Sequence, residues 1–265
     1  MTELIEAGIV LLILLGSTAL GLIVQSLLGE RHRGRETTEL VRLVSAMLVT
    51  FTALVLGLLL TTVKSSFDRI DSQLKVFSAQ LIQLDQSLRQ YGGETDGVRV
   101  QLRSYAAAAI ASTWAEEPKP PGDYYPKVKP IGSSGFENPA LGDMLAGVDR
   151  TIRELAPADL LHRRIAAECI RQLERLTQQH WRFIEDSGRP VPVRFTIVLV
   201  FWLGIVFASF GLSAPRNMLA YTTIALAAVS IASAIYLILD LATPYGGMIA
   251  TSSQAMRDAL AHLSE

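Results

Sequence analysis

Four long apolar segments occur in two pairs, one pair near each end of the sequence, and they bracket a single polar segment. They cover residues 4–28, 40–63, 191–212 and 217–241. Each supplies the roughly 20 apolar residues that a helix needs to cross a hydrocarbon layer about 30 Å thick. The pattern predicts an all-α integral membrane protein, with four transmembrane helices in the lipid bilayer and an inserted helical-bundle lobe.

This pattern divides the chain into a first transmembrane pair (1–63), an extramembrane lobe (64–190), a second transmembrane pair (191–243) and a C-terminal tail (244–265). Half of the residues are hydrophobic and 18% are charged, which fits a chain that is part membrane and part soluble. The net charge of −1 gives no field that would attract nucleic acid. One cysteine, Cys169, excludes an intrachain disulfide.

The short loop between the first two spans is basic, with Arg31, Arg33 and Arg35. The positive-inside rule places this loop in the cytoplasm, and therefore the lobe outside it. Basic residues such as Lys64 and Arg69 also flank the membrane on the lobe side, but long segments count less in this rule. The first span lacks the basic start and the A-x-A site of a cleaved signal, so we expect a retained helix.

The second span continues beyond the membrane as a heptad pattern. Its apolar residues fall three and four positions apart, at Phe67, Ile70, Leu74, Phe77, Leu81, Leu84, Leu88 and Tyr91. This predicts one helix over residues 37–91, ended by Gly92-Gly93. Two interpretations of the seam stay open: it packs on the chain's own lobe helices, or it associates with other copies around an axis.

The rest of the lobe has helical periodicity and no strand pattern. Helices are predicted over 95–115, 138–155 (with Asn138 as N-cap) and 157–186, the last with Leu161 facing inward. A Pro/Gly-rich loop at 116–137 separates the first two. Tyr124 and Tyr125 are expected to dock this loop on the lobe, and partner binding through the loop is the alternative.

No catalytic, cofactor or metal motif occurs, so we expect neither an enzyme nor a bound cofactor or metal. The histidines are far apart and form no H-x-x-x-H pair: His32, His162, His180 and His262.

Polar residues within the spans give the candidate sites. Asp240 is the one acid inside a span, so it either belongs to an ion path or holds the following turn. Ser45 and Thr52 share a face of the second helix, and their hydroxyls either line a path or bond to their own helix. Gly16, Gly21 and Gly57 are candidate points of close helix approach.

Two local patterns resemble a known family. One is the exit of the second span, LVLGLLLTTVKSSFDRID (54–71); the other is the tail, LDLATPYGGMIATSSQAMRDAL (239–260). With the two-plus-two order of spans, they resemble the bestrophin-like family of bacterial membrane proteins. The tail departs from the usual Phe-Ser-Gly type of sequence at Tyr245-Gly246-Gly247.

The resemblance implies a relation to the bestrophins, which are pentameric chloride channels with an axial pore. Their insert between the second and third spans is cytosolic, which is opposite to the positive-inside assignment. We therefore expect a homo-oligomer, a pentamer if it follows bestrophins, in the bacterial inner membrane. It would conduct small inorganic ions passively, with anions favoured. The candidate pore-lining residues are Ser45, Thr52, Leu56, Leu59 and Lys64.

Lys64 or Arg69, repeated around an axis, would form a basic ring that attracts anions, or would extend to the membrane edge. The rival hypothesis is a non-conducting scaffold or signalling subunit whose lobe binds a partner. A transporter that uses Asp240 is weaker, because the sequence shows no inverted repeat.

Overall fold

The computed structural model describes residues 2–27, 35–127, 136, 138–186, 193–215 and 217–265. In these ranges the regular structure is helical, which confirms the predicted all-α class. The loop arginines Arg31 and Arg33 lie outside the described residues. The α-helices are α1 (Thr2–Leu27), α2 (Arg35–Tyr91), α3 (Asp96–Thr113), α4 (Pro139–Arg153), α5 (Leu160–Asp186), α6 (Val193–Ser213), α7 (Met218–Leu241) and α8 (Gln254–Ser264).

The chain forms two compact units. We call Met1–Ser66 with Arg189–Ala242 the membrane unit, and Phe67–Gly188 with Thr243–Glu265 the lobe unit. Four of the described helices are long and apolar enough to cross a membrane, and they belong to α1, α2, α6 and α7. The tail, which the sequence division kept apart, belongs to the lobe unit.

Helix α2 is continuous through the predicted membrane exit. It has 57 residues, so it is about 86 Å long at 1.5 Å per residue. It ends where Gly92 adopts a φ of 117°, a conformation that favours glycine. The prediction of one helix that runs from the membrane into the lobe is confirmed.

In the membrane unit, α1 packs on α6 and on α7. Gly21 of α1 faces α6, and Gly211 of α6 faces α1. A Cβ on Gly21 would collide with the carbonyl oxygen of Ala208, and a Cβ on Gly211 would collide with the carbonyl oxygen of Thr18. Small residues allow such close approach of helix backbones. The predicted role of Gly21 is therefore confirmed, whereas a Cβ on Gly16 or Gly57 would meet nothing within 4 Å.

The lobe unit is a helical bundle with one hydrophobic core. Helix α3 packs on α4 and α8, and α4 packs on α5. Phe77 of α2 is at the centre of an aromatic cluster, with ring centroids 6.3 Å from Tyr105, 6.1 Å from Phe136 and 5.5 Å from Phe183. These edge-to-face contacts add to the stabilisation that comes from burying the rings.

The heptad seam of α2 belongs to this intrachain core. Of its seven candidate residues, Phe67 is half-buried. The other six are at most 5% exposed: Ile70, Leu74, Phe77, Leu81, Leu84 and Leu88. Side chains that already contact the helices of their own chain leave no surface for a second copy. The expectation of an oligomer seam along these residues is therefore corrected in favour of intrachain packing.

Capping side chains set the starts of α4 and α5. The side-chain oxygen of Asn138 accepts from the backbone N–H of Ala140 at 3.0 Å, which confirms the predicted N-cap. Asp159 accepts from the N–H of His162 at 2.8 Å, so α5 begins at Leu160 and not at Pro157. Leu161, predicted to face inward, lies in this first turn and is 63% exposed.

The described part of the Pro/Gly-rich loop is held on α3. The hydroxyl of Ser104 donates to the carbonyl of Tyr124 at 3.0 Å, and the guanidinium of Arg103 lies 4.7 Å from the Tyr124 ring centroid. Tyr124 and Tyr125 both pack against the core. The predicted docking of the loop through these tyrosines is confirmed.

The tail motif also has a structural role in the lobe unit. The ring of Tyr245 packs against Trp114 and Phe136. The Trp114 indole donates to the carbonyl of Thr251 at 2.7 Å, and the N–H of Thr251 donates to the carbonyl of Pro244 at 2.7 Å. These contacts connect the turn after α7 to the C-terminal end of α3.

A buried carboxylate joins three helices of the lobe unit. Asp85 on α2 accepts from Arg89 at 2.6 Å and from Arg99 of α3 at 2.8 Å. Arg89 also donates to the carbonyl of His262 in α8, at 2.7 Å. Burying a carboxylate is costly unless it is paired and hydrogen-bonded, as Asp85 is here.

His180 makes the stability of the lobe unit depend on pH. Its Nδ1 lies 3.2 Å from the Tyr105 hydroxyl, its Nε2 has no partner among the described residues, and burial lowers its pKa from 6.5 to about 4. Between these values the unfolded chain binds a proton that the folded chain excludes. Stability therefore falls as pH falls through this window, by about 2 kcal/mol at pH 5.

The prediction is checked by urea unfolding of the full chain at pH 7 and pH 5. His180→Gln, which keeps a partner for Tyr105, should lose less stability than the native protein over this interval. Equal losses in both proteins would show that His180 does not cause the dependence.

Candidate pore-lining helix

The membrane-spanning part of α2 is the least enclosed of the four spans. Only 17% of its most apolar stretch is buried, against 28% for α1, 28% for α6 and 33% for α7. Most residues of this stretch are therefore not buried by the other residues that the structure describes. In a membrane such a surface faces lipid, another subunit or a hydrated path.

One face of this span is nonetheless buried in the membrane unit. It consists of Ser45, Thr52, Leu59 and Val63, which are spaced seven, seven and four residues apart. The Ser45 hydroxyl donates to the carbonyl of Val41 and that of Thr52 to the carbonyl of Leu48, both at 2.7 Å. The hydroxyls thus bond to their own helix, which is the alternative left open from the sequence.

Three of the five pore-lining candidates lie on that face, and for them the pore-lining interpretation is corrected. Ser45, Thr52 and Leu59 are covered by their own chain, so they cannot line an axis between subunits. Leu56 is half-buried, and Lys64 is exposed at the end of the span.

A second face is apolar and exposed, with the period of a coiled coil. Its members are 47–64% exposed and follow steps of four, three, four, three and four residues: Leu40, Val44, Met47, Phe51, Leu54 and Leu58. The stripe continues into Thr61, Thr62 and Ser65, which are also exposed. We call Leu40–Leu58 of this face the exposed stripe. The sequence does not distinguish this face, because almost every residue of the span is apolar.

Asp240 is buried at the end of α7. It is 1% exposed, and the hydroxyl of Tyr236, one turn earlier, donates to its Oδ1 at 3.4 Å. A carboxylate enclosed in this way, with a partner on its own helix, is typical of a group that stabilises a helix end. These contacts favour the structural alternative over the ion-path interpretation.

A groove opens at the other end of the membrane unit. It has a volume of about 950 Å³ and lies between the beginning of α2, the end of α6 and the beginning of α7. Arg42 is the one charged residue among the described residues that line it. Sequence analysis did not predict this site, because its residues come from three separate helices.

The chain is similar to a solved structure and to a known family. A solved structure described as "Crystal structure of a membrane protein P208A" has 13% sequence identity and a TM-score of 0.47, over all of both chains. No curated protein matches this sequence. The family described as "Bestrophin-like domain" matches residues 11–256, which include most of the first span, the other three spans, the lobe and most of the tail. The chain therefore belongs to the bestrophin-like family of membrane proteins.

Proposed function

We propose that this chain assembles as a homo-oligomer around an axis formed by the α2 spans, and that the assembly conducts small ions passively, with anions favoured. Membership of the bestrophin-like family supports a channel. The observation that carries the proposal is the exposure of the α2 span, whose stripe is covered by none of the helices that the structure describes.

The exposed stripe is the face that we assign to the axis. A strict 3.5-residue period is the pattern by which neighbouring helices pack around a common axis. Bulky apolar side chains there, such as Phe51 and Leu54, would form a narrow constriction of the kind that opens and closes by wetting and dewetting. This face replaces Ser45, Thr52 and Leu59 as the proposed lining.

The proposed anion preference rests on Lys64, which follows the stripe along α2 and lies on the neighbouring face of the helix. Lys64 follows the hydroxyl residues Thr61 and Thr62, and all three are exposed. Both hydroxyls donate to carbonyls of their own helix, at 2.9 Å and 2.8 Å. A ring of lysines beside the constriction would raise the local concentration of anions.

Lys64→Glu should therefore reverse the preference and lower the permeability ratio of chloride to potassium several-fold. The measurement is ion flux through the purified protein in liposomes, with chloride and potassium gradients tested separately. Lys119→Glu makes the same charge change at an exposed position of the lobe loop and should leave the ratio unaltered. Thr52→Asp, on the buried face, should lower the yield of folded protein instead.

A well-folded oligomer that passes neither ion would contradict the channel and favour the scaffold alternative. The described part of the loop that a scaffold would offer to a partner is packed on α3.

We also propose the bacterial inner membrane as the location, with the lobe outside the cytoplasm. That side rests on the basic loop alone, and the cytosolic insert of bestrophins supports the opposite side.

A further inference from the structure

We propose that the groove between α2, α6 and α7 binds one anionic phospholipid, with its phosphate at Arg42 and one acyl chain along the apolar floor. This inference is independent of ion conduction, because the exposed stripe lies on another face of α2. It gives the membrane unit a specific lipid site.

The groove has the size and shape of a site for a long apolar chain. Its volume of about 950 Å³ is at the upper end of the range of about 300–1,000 Å³ that is usual for ligand pockets. It extends along α2 from Arg42 to Thr50, which is about 12 Å of helix. Val49, Phe210 and Ile224 supply apolar surface farther along it.

Four of the five hydroxyl groups in the groove are already hydrogen-bonded within the protein. Those of Ser45, Thr50, Ser209 and Thr223 donate to carbonyls of their own helices at 2.7, 3.0, 2.9 and 2.8 Å. Their hydrogens are used within the protein, so an apolar chain can lie over them without leaving a donor unsatisfied. Ser213 and Asn217, at the end of α6 and just before α7, are the other uncharged polar side chains of the lining.

The positive charge of Arg42 favours a ligand with an anionic head group. Arg42 forms no ion pair in the part of the chain that the structure describes, and it is exposed at the first of the α2 positions that line the groove. A guanidinium matches the oxygen pattern of a phosphate and is the side chain most used for that recognition. A ligand with one anionic end and a long apolar body fits this distribution of charge.

The binding test uses the full-length protein in detergent, stripped of lipid and titrated with dioleoyl phosphatidylglycerol, dioleoyl phosphatidylcholine or oleate. Native mass spectrometry counts the bound molecules per chain. We expect one tight site that prefers phosphatidylglycerol over phosphatidylcholine about fivefold, the size of effect expected for one interfacial cation on an anionic lipid. Arg42→Gln should remove this preference, and Arg42→Lys should keep most of it.

Matched variants separate the groove from general lipid adhesion. Ala46→Phe fills the groove and should reduce binding of both phospholipids, whereas Ala53→Phe, two turns away and outside the groove, should not. Arg163→Gln removes an exposed cation from the lobe and should also leave binding unchanged. Thermal unfolding of each variant shows that the protein remains folded.

Three results would overturn the proposal. Equal affinity for the two phospholipids, or a preference that persists in Arg42→Gln, would show that Arg42 does not recognise the anionic head group. Tighter binding of oleate than of phosphatidylglycerol would identify a free fatty acid as the ligand. An unchanged lipid count in Ala46→Phe, together with an altered oligomeric mass, would show that a second copy of the chain covers the groove.

Discussion

Gly21→Ala should destabilise the membrane unit by about 1–3 kcal/mol, and Gly21→Leu should prevent its assembly. A Cβ at this position would collide with the carbonyl oxygen of Ala208, and it would lie 2.9 Å from the backbone nitrogen of Leu212. Both atoms belong to the backbone of α6, which cannot rotate away as a side chain can. The two helices would have to separate along their whole contact.

The measurement is the temperature at which the purified protein loses its monodisperse peak in size-exclusion chromatography. Gly16→Ala is the matched control, since it lies in the same helix and its Cβ would meet nothing within 4 Å. We expect this variant to be neutral or slightly stabilised, because alanine favours a helix more than glycine does. Gly211→Ala should resemble Gly21→Ala. Similar shifts for Gly16→Ala and Gly21→Ala would contradict the close crossing.

The elements that could be predicted from sequence are those that local patterns determine. Hydropathy over about 20 residues locates the four spans, and an uninterrupted heptad predicts that α2 continues for 57 residues. Caps such as Asn138 depend on a few neighbouring residues, so that prediction was also confirmed.

Periodicity shows which residues share a face, but it does not show what covers that face. The seam through Phe77 and the pair Ser45 and Thr52 were both candidates for an oligomer axis, with intrachain roles as the alternative, and both are buried within the chain. The face of α2 that stays exposed, through Phe51 and Leu54, has the same 3.5-residue period. Only the positions of the other helices distinguish these faces.

Contacts between distant segments were missed for the same reason. Asp85 stands between Leu84 and Leu88 of the seam, and an acid in that place is a signal for a buried ion pair. Its partner Arg99 is on another helix, so the sequence alone did not identify the pair. Gly204 and Gly211, seven residues apart on α6, are a similar signal for the glycine crossing with α1.

Phe77→Ala should destabilise the lobe unit by about 3–5 kcal/mol, the usual cost of removing a fully buried phenylalanine. Its ring is completely buried and contacts three other aromatic rings at centroid distances of 5.5–6.3 Å. Truncation removes these contacts and leaves a cavity that the surrounding helices cannot fill. Urea unfolding of the full chain, followed by tryptophan fluorescence, measures the loss.

The same variant distinguishes the two interpretations of the heptad seam. If Phe77 is a core residue, Phe77→Ala lowers the free energy of unfolding while the folded protein keeps its oligomeric mass. If Phe77 belongs to an oligomer seam, the variant lowers the oligomeric mass while the lobe stays as stable as before. Val76→Ala, at the adjacent and 47% exposed position, should change stability by less than about 0.5 kcal/mol. Light scattering on the folded fraction measures the mass. Because Phe77 contacts Tyr105 and Phe183 of its own chain, we expect the first outcome.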